Sequence, residues 1–279
     1  MKQLFDKLSG EASGSVTRMY STSFYAGVRC LDKTIQTDIH AIYGFVRFAD
    51  EIVDSFHGYD KEMLLREFRQ ETFRAIERGI SLNPILNSFQ ACVHKYVIDL
   101  KLIEQFFHSM EMDLSKVTHN EESYREYILG SAEVVGLMCL KVFVYGNKED
   151  YIRLTPYAMK LGSAFQKINF LRDLKDDVNG LGRLYFPHIS SVDTITLEEK
   201  LAIEEEIEAE FAEAYQGIIQ LPKSSRFGVY LSYMYYTQLL RRIKRKTIRE
   251  LMEQRISIPN KTKVLLFCKS YIRNSINLM

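Results

Sequence analysis

Between Ala41 and Asp54 the chain carries Ile42, Phe45, Val46, Phe48, Ala49, Ile52 and Val53, apolar groups that a helix would spread round almost its whole circumference. Within that stretch Tyr43, Arg47, Asp50 and Asp54 are spaced 4, 3 and 4. Residues three and four apart share a helix face, so these four form one polar stripe. A helix that is apolar nearly all round is buried. Its stripe must then look into an interior cavity rather than bulk water, with Glu51 the remaining charged group. A second segment repeats the arrangement: Gln166, Asn169, Asp173 and Asp177 are spaced 3, 4 and 4 among Leu161, Ala164, Phe165, Ile168, Phe170, Leu171, Leu174 and Val178.

The rest of the chain has the same helical period. Apolar residues recur at i, i+3, i+4, strand-type alternation is scarce, and 5 prolines and 14 glycines in 279 residues leave few places to break a helix. The spacing predicts helices over Ser15 to Val28, Lys33 to Phe56, Lys61 to Arg78, from Asn83-Pro84, Glu121 to Tyr145, Tyr151 to Val178, Leu197 to Ile219, Phe227 to Glu253 and Lys261 to Ile276. Gly182 to Pro187 is predicted as loop, because proline restrains itself and its predecessor from helix. With no repeat and no Gly/Pro/Ser-rich linker, residues 1–279 are expected to form one all-α domain.

Composition narrows the class. At 46% hydrophobic and 26% charged residues, disorder and fibrous architectures are excluded. Lys2, Asp6, Lys7 and Glu11 interrupt any secretory apolar run near Met1, and no run of 18 apolar residues occurs. The four cysteines (Cys30, Cys92, Cys139, Cys268) are dispersed without a CxxC pair and read as buried small hydrophobes. The six histidines show no zinc-ligand spacing. A cytoplasmic location is expected. The net charge of +1 conceals an asymmetry. Asp193 to Glu213 holds nine acids against one lysine, while Arg241 to Met279 holds eleven Lys/Arg against Glu250 and Glu253. Such blocks are usually solvated faces. The alternative for the basic block is an anionic partner: a diphosphate, nucleic acid or a membrane surface. No nucleic-acid-binding signature accompanies it, so nucleic acid is not expected.

Like charges one helical turn apart in a buried setting are costly unless a cation joins them. Ion pairs to Arg47 and Arg172 would answer that cost. So would a divalent metal, and hard oxygen donors without histidine or cysteine suit Mg2+ or Mn2+. Mg2+ typically bridges one or two carboxylates to substrate phosphates. Phe24, Tyr127, Val134, Val135, Met138, Phe165 and Tyr236 could wall a lipophilic cavity or be ordinary core.

Ser21-Thr22-Ser23-Phe24, Tyr43 with Arg47, Asp50 to Asp54, Gln166 to Asp173 with Asp177, and Gly182-Arg183-Leu184-Tyr185-Phe186-Pro187 occur in an order that resembles the phytoene/squalene synthase family, most nearly its bacterial phytoene synthases. The similarity runs from about Ser21 to Ile258. It implies the isoprenoid-synthase helical fold, with two aspartate-rich helices facing each other across a central cavity. It also implies Mg2+-dependent head-to-head condensation of two geranylgeranyl diphosphates to phytoene through cyclopropyl prephytoene diphosphate, without NADPH, in carotenoid biosynthesis. On that resemblance Asp50, Asp54, Asn169, Asp173 and Asp177 hold the metal. Ser21, Thr22, Ser23, Tyr43, Arg47, Gln166, Arg172, Arg183, Tyr185, Tyr236 and Arg255 contact the prenyl diphosphates. The aspartates with Tyr43 and Arg47 carry the chemistry, and either Tyr43 or the released diphosphate takes the proton.

Two readings compete with this one. A squalene or dehydrosqualene synthase would use two farnesyl diphosphates, although a C-terminal anchor like that of the eukaryotic squalene enzymes is not expected. A catalytically silent relative would act as an assembly factor, although both stripes are intact. Glu133 stands where the family commonly has glycine, so it must either turn away from the hydrocarbon wall or make that wall locally polar. The basic amphipathic helix Lys261 to Ile276 is expected to pack on the domain, with peripheral docking to anionic lipid at the inner membrane surface as the alternative.

Overall fold

The computed structural model describes residues 1–115, 118–187 and 195–275. Thirteen α-helices are built from them: α1 (Lys2–Tyr20), α2 (Thr22–Arg29), α3 (Lys33–Ser55), α4 (Lys61–Arg78), α5 (Pro84–Tyr96), α6 (Leu100–Ser115), α7 (Glu121–Ile128), α8 (Val134–Phe143), α9 (Lys148–Asp176), α10 (Leu197–Ile218), α11 (Lys223–Ile243), α12 (Ile248–Glu253) and α13 (Asn260–Ser275). No strand occurs among the described residues beyond one isolated bridge, Thr118 to Leu184. Local chemistry sets many of the ends. Asp32, Asp60, Asn83 and Asn147 each accept a backbone N–H from the first turn that follows, and Thr196–Glu199 and Thr247–Glu250 form capping boxes. Gly79 closes α4 in the left-handed conformation at φ 68°.

Five expected elements differ. The helix expected from Ser15 to Val28 begins at Lys2 and breaks at Ser21, whose backbone is extended and whose Oγ accepts from Phe24 N at 3.3 Å. The Glu121 to Tyr145 helix is interrupted by a π turn at Leu129–Glu133, and a second π turn, Asp177–Leu181, follows α9. The Phe227 to Glu253 helix ends at Ile243 and restarts under the Thr247 cap. The last helix runs from Asn260 to Ser275; Ile276 lies outside the described residues, as do Asp193 of the acidic block and the end of the basic one. The cysteines differ from expectation too: Cys92 is buried, Cys30 and Cys139 are half-buried, and Cys268 is exposed.

Five helices touch one another in a closed ring: α2 packs on α3, α3 on α8, α8 on α9, α9 on α11, and α11 back on α2. Outside this ring α1 and α5 cover α3, and α10 covers α9. Helix α3 is anchored by Ile35, Ile39, Ile42, Phe45 and Val53, all fully buried, with Phe45 stacked on Phe89 at 3.9 Å. Each such side chain contributes about 1.5–3 kcal/mol of burial. Helix α9 has its own core of Ala164, Ile168, Phe170, Leu171 and Leu174. Each striped helix is thus clamped along its apolar faces, which leaves its polar edge directed at the ring's interior.

Close backbone approach explains the first π turn. A Cβ on Gly130 would lie 2.4 Å from the carbonyl oxygen of Gln105 in α6, and one on Gly162 of α9 would lie 2.7 Å from that of Ala132. Three segments meet there with no room for side chains. Gly130→Ala is therefore expected to destabilise the protein by about 1–3 kcal/mol in urea denaturation. An unchanged midpoint would contradict this packing.

Candidate active site

The ring encloses a cavity of about 510 Å³. Tyr43, Arg47, Asp50 and Asp54 from α3, and Gln166, Asn169, Arg172, Asp173 and Asp177 from α9 and its π turn, all line it. The two stripes therefore face one space, as their spacing predicts. Ser21, Tyr185, Tyr236 and Arg255 line the same cavity. Three expected site residues do not. Thr22 accepts a hydrogen bond from Lys263 Nζ at 3.2 Å, and Ser23 lies in the first turn of α2. Arg183 is buried behind the wall and borders a smaller pocket with His57 and Lys61.

Arginines answer the carboxylates. Arg47 bonds Asp50 and Glu51, and its guanidinium lies 4.4 Å over the Tyr20 ring. Asp173 accepts from Arg172 Nε at 2.9 Å and from Arg255 Nε at 2.6 Å. Burial works to raise the Asp173 carboxyl, but Arg172 and then Arg255 hold it below the ordinary range. Arg183 donates to Asp54 at 2.7 Å and to the Val53 carbonyl at 3.1 Å. Asp177 has no ion pair among the described residues. Burial, then the charges of Asp173 and Asp54, push its carboxyl up to about 8. Asp50 is likewise raised, by burial and by Asp54 against the pull of Arg47. The net result is a pocket end whose own cations do not satisfy every carboxyl, so that Asp50 and Asp177 hold their protons more tightly than a free aspartate does.

Asp113 on α6 belongs to this network, although sequence reasoning did not single it out. It is buried, accepts from Tyr127 Oη at 2.8 Å and Tyr185 Oη at 3.0 Å, and lies 3.6 Å from Arg183. Burial raises it to about 6, opposed by Arg183. The signal available in the sequence is a lone aspartate beside Phe106, Phe107, Met110 and Met112, the same buried-charge pattern in weaker form. Through Asp113, Arg183 ties the Gly182–Pro187 loop to both α3 and α6.

Away from its polar end the wall is apolar and aromatic. Phe24 stacks on Tyr43 at 4.9 Å and Phe165 on Tyr236 at 3.8 Å, while Tyr236 Oη donates to Asn169 Oδ1 at 3.1 Å. Val135 and Tyr127 also line it; Val134 and Met138 are buried core behind it. The cavity continues to Leu154, Ile218 and Leu221. Ser131, Ala132, Val135 and Gly136 line it but Glu133 does not. Glu133 turns instead towards α9 and α10, where Lys167 pairs with Glu206 at 2.7 Å and Glu210 at 2.9 Å. Burial, then Glu210, raise the Glu133 carboxyl to about 7. The hydrocarbon wall therefore stays free of this charge.

The donors facing one another across the polar end, Asp50, Asp54, Asn169, Asp173 and Asp177, are all oxygen ligands. That set, with Asp50 and Asp177 each raised by burial and by a neighbouring carboxylate that a cation would offset, fits a hard divalent cation shared with a bound phosphate. Among the described residues no three acidic, histidine or cysteine side chains already converge on one point a metal could occupy. The arginines hold the aspartates instead. Chemically, the arrangement can receive an anion of diphosphate size against guanidinia and carboxylates, and an apolar chain beyond it.

A sequence model of the squalene/phytoene synthase family matches residues 17–190. The chain belongs to that family. Its members are prenyltransferases that act on prenyl diphosphates. Among its relatives, a phytoene synthase of Arthrospira platensis is 24% identical over 290 residues, spanning 95% of this chain and 93% of its own. The chloroplastic phytoene synthase 3 of Zea mays is 26% identical across 94% of this chain, which spans only 65% of the maize protein. A presqualene diphosphate synthase of Rhodopseudomonas palustris is 30% identical over 169 residues, 60% of this chain and 58% of its own. In fold, a ligand-bound dehydrosqualene synthase superposes with a TM-score of 0.84 at 19% identity, covering 96% of this chain and 97% of the other. A squalene synthase from Alicyclobacillus acidocaldarius gives 0.72 at 21% identity, covering 86% and 94%. The all-α isoprenoid-synthase fold is thereby established.

The outward turn of Glu133 has a measurable consequence. Its folded carboxyl is raised to about 7 from an unfolded value of about 4.3, so stability is lost as pH rises between those two values and the cost is level above them. Glu133→Gln removes that cost. The variant is expected to match the parent below about pH 4 and to exceed it above about pH 8 by on the order of 1 kcal/mol, discounted for partial exposure. Thermal melts at the two pH values check this, and equal shifts at both would contradict it.

Proposed function

We propose that this chain condenses two prenyl diphosphates head to head, joining two geranylgeranyl diphosphates into phytoene through cyclopropyl prephytoene diphosphate. The observation that carries the reading is the meeting of two carboxylate stripes and three cavity-lining arginines at one end of a single apolar cavity. That end suits two diphosphates and the rest suits their hydrocarbon chains. Resemblance to phytoene synthases along nearly the whole chain supports the choice of substrate.

In this reading Arg47, Arg172 and Arg255 exchange their aspartate partners for diphosphate oxygens. They favour departure of the diphosphate with the C–O electron pair, which leaves an allylic cation. Mg2+, with Mn2+ as a substitute, would be held by Asp50 and Asp54 on one side and Asn169, Asp173 and Asp177 on the other, and when bound it neutralises diphosphate charge. The rings of Phe24, Tyr43, Phe165 and Tyr236 keep water from the cation and present their faces to it. The 2,3-double bond of the second substrate attacks, and proton loss closes the cyclopropane. Burial raises the Tyr43 phenol to about 12, so at neutral pH it is a hydrogen-bond donor and the released diphosphate is the better base. A second ionisation, rearrangement and proton loss give the triene without a reductant.

The runner-up is the same chemistry on two farnesyl diphosphates, favoured by the fold match to dehydrosqualene synthase over nearly the full length of both chains. Mass spectrometry of products formed with Mg2+ separates the two. A C40 hydrocarbon from the C20 substrate without NADPH is expected. A C30 product from the C15 substrate alone would move the protein to the farnesyl branch. No product from either, with EDTA making no difference, would indicate a silent relative. Asp50→Ala and Asp173→Ala are each expected to lower turnover at least about 100-fold with unchanged helical circular dichroism. Normal turnover in either variant would contradict the assignment.

A further inference from the structure

The cavity runs the length of α9. Leu154, Tyr157, Leu161, Phe165, Asn169 and Asp173 all line it, at intervals of three or four residues that keep one face of the helix turned inward. Asp173 marks the polar end. Sixteen residues separate it from Tyr157, which at 1.5 Å per residue is about 24 Å along the helix axis. Leu154 lies almost a turn further on. There the cavity is closed. Leu154, Ile218 at the end of α10, Leu221 in the turn after it and Val229 of α11 belong to one apolar cluster, and none of the four is more than 7% exposed. Tyr157 forms a ledge just above them, pressed against α10 through a glycine. A Cβ on Gly217 would lie 2.3 Å from Tyr157 Cβ and 2.8 Å from its Cγ, so no side chain fits there unless α9 and α10 move apart.

Chain length decides which substrate touches this floor. At the roughly 1.2 Å per bond of an extended chain, the roughly 12 main-chain carbons of a farnesyl group span about 14 Å and the roughly 16 of a geranylgeranyl group about 19 Å. The difference is close to one helical turn, the step from Leu161 to Tyr157. The diphosphate and its cation take up the polar end before the first carbon. A farnesyl tail lying along α9 therefore stops beside Leu161, whereas a geranylgeranyl tail sets its last isoprene unit against Tyr157 and the cluster beneath it. Only the longer chain removes that apolar floor from water, and burial of that area is what separates the two affinities.

We propose that Leu154, Tyr157 and Ile218 select the length of the prenyl chain, forming a floor that a C20 substrate reaches and a C15 substrate does not. The proposal rests on the prenyl diphosphate reading above and adds to it the residues that discriminate. Non-ionising thiodiphosphates carrying C10, C15, C20 and C25 chains are titrated into the full chain with Mg2+. The parent is expected to bind the C20 compound at least about tenfold more tightly than either the C15 or the C25 compound. Leu154→Phe and Ile218→Phe, which fill the floor, should each weaken C20 binding at least about tenfold and leave C10 and C15 binding within about twofold. Tyr157→Ala, which removes the ledge, should tighten C25 binding at least about tenfold. Equal affinity of the parent for C15 and C20 chains would overturn the proposal, as would C20 binding unmoved in both filled variants. So would equal weakening at every chain length in variants whose circular dichroism matches the parent, since the effect would then be one of general packing. A parent that binds none of the four compounds would overturn the prenyl diphosphate reading itself, and the floor assignment with it.

Discussion

Everything in this molecule is arranged around carboxylates held inside a helical ring. Asp50, Asp54, Asp113, Asp173 and Asp177 come from three helices and a π turn, and burial pushes Asp50, Asp113, Asp173 and Asp177 towards the protonated state. Arg47, Arg172, Arg183 and Arg255, each reaching from a different part of the chain, oppose that, but only Asp173 is brought below the ordinary range, while Asp50 and Asp113 stay raised. Asp177 is left over. The site is therefore poised rather than satisfied. A diphosphate arriving with a divalent cation gives both signs of charge new partners: oxygens for the guanidinia, a cation for the carboxylates.

The scaffold serves that poise by rigidity. Five ring helices fix the separation of the stripes, and the surrounding layer of α1, α5 and α10 buries their apolar faces. Gly130 and Gly162 let α6, the first π turn and α9 approach at backbone distance, which holds the far wall closed. The Arg183 network does the same for the polar end, since one guanidinium touches Asp54, the Val53 carbonyl and Tyr185. Glu133 shows the opposite economy: a carboxyl beside the wall is tolerated because its face turns away from the cavity to Lys160 and Lys167, against the like charge of Glu210.

Much of this was legible in the sequence, for a physical reason. Helices such as Lys33–Ser55 and Lys61–Arg78 carry their own caps and period, so local chemistry suffices to place them. The stripes were legible because a 3.6-residue repeat maps sequence spacing directly onto a face. What escaped depends on distant neighbours. Ser21 breaks a helix by capping the next one, which a serine in a periodic stretch does not advertise. The first π turn exists because Gly130 meets another helix's backbone. Asp113 lacks a second carboxylate at i+4, and its partners come from residues 127, 183 and 185. The pairing of Arg255 with Asp173 spans 82 residues and is a property of the fold alone.

The central claim is that the two stripes act as one divalent-cation-dependent diphosphate site. Calorimetric titration with a non-ionising geranylgeranyl thiodiphosphate, with Mg2+ and with EDTA, tests it most directly. Asp50→Asn and Asp173→Asn are titrated alongside the parent chain. The account predicts binding that requires Mg2+ and that falls in both variants, one from each helix. Equal affinity in EDTA, or loss in only one variant, would contradict a shared site.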